Sequence, residues 1–140
     1  MINQFRGDHA FLSNFYPSPL RYKGEPFLNS EAAYQAQKAV HAKDRKDFYN
    51  LSGRDAKRLG RDVEMRDDWE KVKIQFMREI LREKFTQSEE LKAKLLATGD
   101  EPLEEGNTWG DMFWGKVNGV GGNWLGRLLM ELRGNLKKGP

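Results

Sequence analysis

Cysteine is absent from this 140-residue chain, which excludes disulfides, a thiolate nucleophile and cysteine-ligated zinc. Histidine is nearly absent: His9 and His41 stand far apart, and neither belongs to an H-E-x-x-H pair. A histidine-based metal site or a Ser-His-Asp triad is therefore not expected, and no metal or cofactor is assigned. No apolar run reaches the roughly 18 residues of a membrane span. The opening Met1-Ile2-Asn3-Gln4-Phe5-Arg6 lacks the basic start and apolar middle of a secretory leader. The chain is expected in the cytoplasm, away from membranes. There is no internal repeat and no low-complexity tract. The charge imbalance is small, 24 basic against 21 acidic residues for a net charge of +3. Such an excess tolerates a phosphorylated ligand without being a nucleic-acid footprint by itself. Any chemistry must come from carboxylates, amides, lysines, arginines and aromatic rings.

Hydrophobic residues make up 38% of the chain and charged residues 32%, with a mean hydropathy of −0.82. That balance suits one compact domain over residues 1–140. Residues 11–27 look extended, and Lys23-Gly24 between Leu20-Arg21-Tyr22 and Glu25-Pro26-Phe27 predicts a hairpin. Ser30 is placed to cap a helix running to about residue 41, since Ala32, Ala33, Ala36, Ala39 and Val40 favour it. Short helices are expected around 44–50 and 53–60. The spacing of Trp69, Val72, Phe76 and Ile80, with Met77, Leu81 and Phe85 beside them, predicts a long helix over about 67–85. Ser88 opens another to about 97, ending at Thr98-Gly99. A loop with seven glycines and three aromatics spans residues 99–123, and Leu125, Leu128, Leu129, Leu132 and Leu136 line a final helix over 123–137. The expected class is α+β: a single, mostly helical domain with a small N-terminal sheet.

Three stretches could carry chemistry. On the helix at Ser30, residues Glu31, Tyr34, Gln35 and Lys38 share one face, at i, i+3, i+4 and i+7. The alternative is a solvated face with Glu31 on the helix dipole. In the glycine-rich loop, Asn107, Trp109, Asp111, Phe113 and Trp114 follow no period. Large rings in a loop are candidates for stacking on a base, although Phe113 reads more naturally as core. Finally, Asn118-Gly119-Val120-Gly121-Gly122-Asn123 runs into the last helix, where free backbone N–H groups would make a phosphate nest; a flexible turn is the plain alternative. Together these offer a carboxylate pair (Glu31, Asp111), stacking rings (Trp109, Trp114, Phe15) and an anion site (Gly121, Gly122, Asn123). That set suits glycosyl transfer to water: a carboxylate stabilises the oxocarbenium ion and orients water while a second group manages the leaving nitrogen's proton.

The sequence also resembles the NADAR, or YbiA-like, family of N-glycosidases. The match runs in order through Phe11-Leu12-Ser13-Asn14-Phe15-Tyr16, Ser30-Glu31, Tyr34-Gln35-Ala36-Gln37-Lys38, Gly60-Arg61, Arg66, Asp68-Trp69 and Lys84-Phe85. It continues through Leu103, Glu105, Asn107, Trp109, Asp111, Trp114-Gly115 and Gly122-Asn123-Trp124-Leu125-Gly126-Arg127. The resemblance implies an α+β fold with one polar pocket and two substrate classes: phosphoribosylamino-pyrimidine intermediates of riboflavin biosynthesis, and ADP-ribose on a base, notably guanine in DNA. It implies Glu31, Asp111 and Trp114 as the catalytic group, with Ser13, Asn14, Lys38, Asn107 and Asn123 in the pocket. Ala32 departs from the family pattern, where many relatives carry histidine.

Two other functions compete. A non-catalytic module binding ADP-ribose or a nucleotide would use the same pocket, but a carboxylate pair near phosphate does not favour mere anion binding. A nucleic-acid-binding protein would act through Arg54, Lys57, Arg58 and Arg61, which also read as an ordinary solvated face. The expected partner is a small phosphoribosyl or ADP-ribosyl substrate, with ADP-ribosylated DNA as the macromolecular variant.

Overall fold

The computed structural model describes residues 1–139; Pro140, the last residue of the expected domain, lies outside the described residues. The chain divides into two compact units, one formed by residues 14–87 and the other by residues 1–13 together with the segment from Ser88 onward.

The first unit begins with strands β1 (Leu20–Tyr22) and β2 (Glu25–Phe27), paired antiparallel with Leu20 opposite Phe27. Lys23 and Gly24 both take positive φ, 52° and 81°, the two-residue turn that matches strand twist. Leu20, Tyr22 and Phe27 are buried. Beyond residue 16 the expected extended path holds, but Phe11 and Leu12 belong to a 3₁₀ turn over Gly7–Leu12. Helix α1 (Ser30–Ala36) is buried at all seven positions. Its cap is Asn29, not Ser30: Asn29 is extended and its Oδ1 accepts from the Ala32 N–H at 2.8 Å. The helix also stops five residues earlier than its alanines suggest. Val40 N–H donates to Glu64 O and Arg66 N–H to Lys38 O, so pairing with residues 64–66 overrides helix propensity.

Helix α2 (Ala42–Arg45) passes into a 3₁₀ turn at Lys46–Phe48, shortening the helix expected at 44–50. Helix α3 (Gly53–Leu59) is capped by Ser52, whose side chain accepts from Asp55 N–H. Helix α4 (Trp69–Gln87) buries Trp69, Phe76, Met77, Ile80, Leu81 and Phe85 along the predicted stripe. Its last residue reaches β1: Gln87 Oε1 accepts from Arg21 N–H at 2.8 Å and Nε2 donates to Arg21 O at 2.7 Å.

In the other unit, Ile2 pairs with Leu103 as a parallel bridge. Helix α5 (Glu89–Ala97) is capped by Ser88 as expected. Helix α6 (Trp124–Lys138) buries Leu125, Leu128, Leu129 and Leu132. Arg133, also buried, donates from Nη1 to Thr98 Oγ1 at 2.9 Å. The glycine-rich segment between α5 and α6 has no helix of its own and is fixed by isolated bridges, Gly106 with Lys116 and Val117 with Val120. Among the described residues no helix is long and apolar enough to cross a membrane.

Candidate active site

The predicted residues fall into two groups, one in each unit. In the unit of residues 14–87, the group is organised around the first turn of α1. Asn14 pins that turn: its O accepts from Glu31 N–H at 3.0 Å, and its Oδ1 accepts from Ser30 Oγ at 2.8 Å. Asn14 Nδ2 faces Met77 Sδ at 3.5 Å. The Asn14 amide is thus used inside the protein and shapes the site from behind. Glu31 is only 8% exposed. Its Oε2 accepts from Gln35 Nε2 at 2.7 Å, the i, i+4 contact that helical spacing allows.

One turn further, Lys38 is half-buried with its Nζ 5.9 Å from the centre of the Trp69 ring. Burial lowers the Lys38 pKa; Glu31 opposes that shift, while Lys73 and Arg61 add to it. Glu31, Lys73 and Arg61 therefore share an electrostatic neighbourhood with Lys38. Tyr34 is buried against Trp69, ring centres 5.1 Å apart, which makes it a wall of aromatic packing more than an open hydroxyl. Phe15 is 44% exposed, lies against Gly53 and has Lys57 Nζ 6.0 Å from its ring centre. Gln35 and Gly60 were both visible as matching positions, yet their contact, described below, has no signature in spacing.

The second group lies in the loop preceding α6. Asp111 Oδ1 accepts two backbone N–H groups, from Phe113 at 3.0 Å and Trp114 at 2.9 Å. Asn107 closes this turn: its Oδ1 accepts from Asp111 N–H at 3.1 Å, and its Nδ2 donates to Asp111 O at 2.8 Å and Glu105 Oε2 at 2.9 Å. Asn107 is thereby a brace. Phe113 is half-buried, edge-on to Trp114 at 4.9 Å and stacked on Trp124 at 6.5 Å. Trp109 is 55% exposed, and Ser13 is half-buried with its N–H donated to Ala10 O.

Of the phosphate nest expected at Gly121, Gly122 and Asn123, the donors of Gly122 and Asn123 turn to the protein's own loop. The N–H groups of Gly122, Asn123, Trp124 and Leu125 donate to the carbonyls of Met112, Gly115, Phe113 and Trp114. The helix start is filled by the protein's own loop, which takes these four donors away from an anion. Asn123 holds this junction with φ 52°, its Oδ1 accepting from Glu105 N–H and its Nδ2 donating to Leu103 O, each at 2.9 Å.

A buried, oriented carboxylate beside lysine, and a second carboxylate fixed among tryptophans, are what a comparison with known proteins must account for. A family model described as "NADAR domain" matches residues 3–137. The chain belongs to the NADAR family. N-glycosidase YbiA of Escherichia coli (strain K12) is 44% identical over 133 residues, 92% of this chain and 82% of that protein. N-glycosidase Npun_R5314 of Nostoc punctiforme is 37% identical over 136 residues, 92% of this chain and 86% of that protein. Riboflavin biosynthesis protein VVA0006 of Vibrio vulnificus is 40% identical, covering 94% of this chain but 36% of the longer protein. The NMR structure of E. coli YbiA matches with a TM-score of 0.85 at 39% identity, over 99% of this chain and 88% of that one. The fold is that of the NADAR domain, mostly helical with a two-stranded sheet. This NADAR chain is an enzyme of the N-glycosidase class.

Proposed function

We propose that the chain hydrolyses the bond between C1′ of a phosphorylated ribose and the nitrogen of a base or amino-pyrimidine, without a metal ion or cofactor. The observation that carries this reading is Glu31, a carboxylate 8% exposed and oriented by a 2.7 Å hydrogen bond from Gln35. Burying a carboxylate is costly, and a buried, oriented acid is a recurrent mark of a site built for chemistry. The names of the relatives support a pathway substrate: two of them are riboflavin biosynthesis proteins, from Vibrio vulnificus and Arabidopsis thaliana. The substrate is then a phosphoribosylamino-pyrimidine, with ADP-ribosylated guanine in DNA as the second class implied by the family resemblance.

In the proposed step the C1′–N bond breaks and the electron pair leaves with nitrogen. Glu31 offsets the positive charge growing on the ribose and takes a proton from the attacking water, whose oxygen bonds to C1′. The leaving nitrogen takes up a proton from solvent, and Glu31 passes the proton it received from the attacking water back to solvent, so protons balance over the cycle. Phe15, 44% exposed in the same unit as Glu31, provides an apolar face for the base. With the helix start of α6 already occupied, phosphate recognition falls to Lys38, Arg61 and Lys73.

The test is to incubate the protein separately with a phosphoribosylamino-pyrimidine and with an oligonucleotide carrying ADP-ribosylated guanosine, following release of sugar phosphate or ADP-ribose. Turnover of either supports the reading and selects the substrate class. Binding of ADP-ribose with no release from either compound would overturn it in favour of a binding module.

A further inference from the structure

The Gln35 side chain is committed at one end and orphaned at the other. Its Nε2 donates to Glu31 Oε2 at 2.7 Å, while its Oε1 is buried without a hydrogen-bond partner. Native proteins keep few unpaired buried carbonyls, because each forfeits its hydration. Turning the amide over would be worse. It would aim one partly negative oxygen at another and withdraw the only N–H offered from that side chain to the carboxylate. The orientation of the amide is therefore dictated by Glu31, and Oε1 takes the space that remains.

That space belongs to Gly60. Gly60 closes α3 with φ −59° and ψ −19°, an ordinary helical conformation open to any residue, so backbone freedom does not call for glycine. Room does: a Cβ added at Gly60 would overlap Gln35 Oε1 and crowd its Cδ. The neighbour that would have to yield is the one fixing Glu31.

We propose that Gln35 is a positioning residue for the Glu31 carboxylate, and that the missing side chain of Gly60 is what lets it reach that position. The assignment rests on the catalytic role proposed above for Glu31. A glutamate side chain has three rotatable bonds. Pinning one oxygen from the next helical turn removes most of that freedom, and small misplacements of a catalytic group are expensive in rate.

Four variants test this on a phosphoribosylamino-pyrimidine substrate: Glu31→Gln, Gln35→Met, Gly60→Ala and the Gln35→Met/Gly60→Ala pair, each checked for fold by circular dichroism. Gln35→Met keeps the volume and removes the N–H. It should lower kcat about tenfold to a hundredfold with KM little changed, and move the acidic limb of the pH–kcat/KM profile to higher pH. That limb moves because the charged carboxylate loses a donor. Gly60→Ala should lower kcat in the same sense. The pair should be no worse than Gln35→Met alone, since both changes act through one carboxylate. If Gln35→Met fails to fold, Gly60→Ala carries the test, because it deletes no polar group and suits the helix. A folded Gln35→Met or Gly60→Ala with wild-type kcat and an unmoved pH profile, beside an inactive Glu31→Gln, overturns the positioning role alone. A fully active Glu31→Gln overturns the catalytic reading beneath it and the proposal with it.

Discussion

Replacing Glu31 by glutamine keeps the shape of the side chain and deletes the charge that would meet the oxocarbenium ion. The loss should appear in kcat, about 10³-fold by comparison with removing one electrostatic stabiliser, with the circular dichroism spectrum unchanged. A folded variant retaining more than about a third of wild-type turnover would remove Glu31 from the mechanism. Lys84 is a different kind of buried charge. It is 1% exposed, with Nζ 5.1 Å from the Phe85 ring centre and 5.9 Å from that of Tyr16, and burial lowers its pKa to about 7 from 10.5. Between those values the unfolded chain binds the proton and the folded chain does not, so this lysine makes stability rise with pH from about 7 to 10.5. Below that window its burial cost is constant and full. Lys84→Met should gain most over wild type near pH 7, the gain shrinking toward pH 10. Thermal melts of both proteins across that range measure the difference, and a pH-independent gap would mean that Lys84 does not titrate there.

Helix α6 and its preceding loop behave as one clamp. Gly121 has φ 148°, and a Cβ there would overlap the Gly115 carbonyl, itself the acceptor of the Asn123 N–H. Gly121→Val should therefore lower stability by about 1–3 kcal/mol through backbone strain and disturb the packing of Trp114 and Trp124. Denaturant titration followed by tryptophan fluorescence would register both, and an unchanged midpoint would refute the clamp. The hairpin could be read from Lys23-Gly24 and α4 from its stripe, because turn chemistry and helical period are local. The early end of α1 could not, since it is set by residues 64–66. Nor could the nest: glycines before a helix announce free N–H groups, but only the folded loop says which carbonyls take them. In the same way, Glu31 and Lys38 stood out by spacing. Asn14, Asn107 and Asn123 also matched, yet their amides turn inward, a distinction that residue type does not encode.

At the scale of the whole molecule the chemistry should stand without a metal. There is no cysteine in the sequence, and among the described residues no group of three or more histidine, aspartate or glutamate side chains is arranged to hold an ion. Treatment with EDTA should leave kcat/KM unchanged within about twofold; loss of activity restored by Mg²⁺ would show that the mechanism lacks an essential part. The pairing of Ile2 with Leu103 has another consequence. Ile2 is synthesised well before its partner Leu103, and residues 14–87 complete their own unit in between. Synthesis should thus fold residues 14–87 before residues 1–13 find their partner, and arresting translation before Leu103 emerges should leave residues 1–13 open to proteases while the hairpin and α4 already resist them.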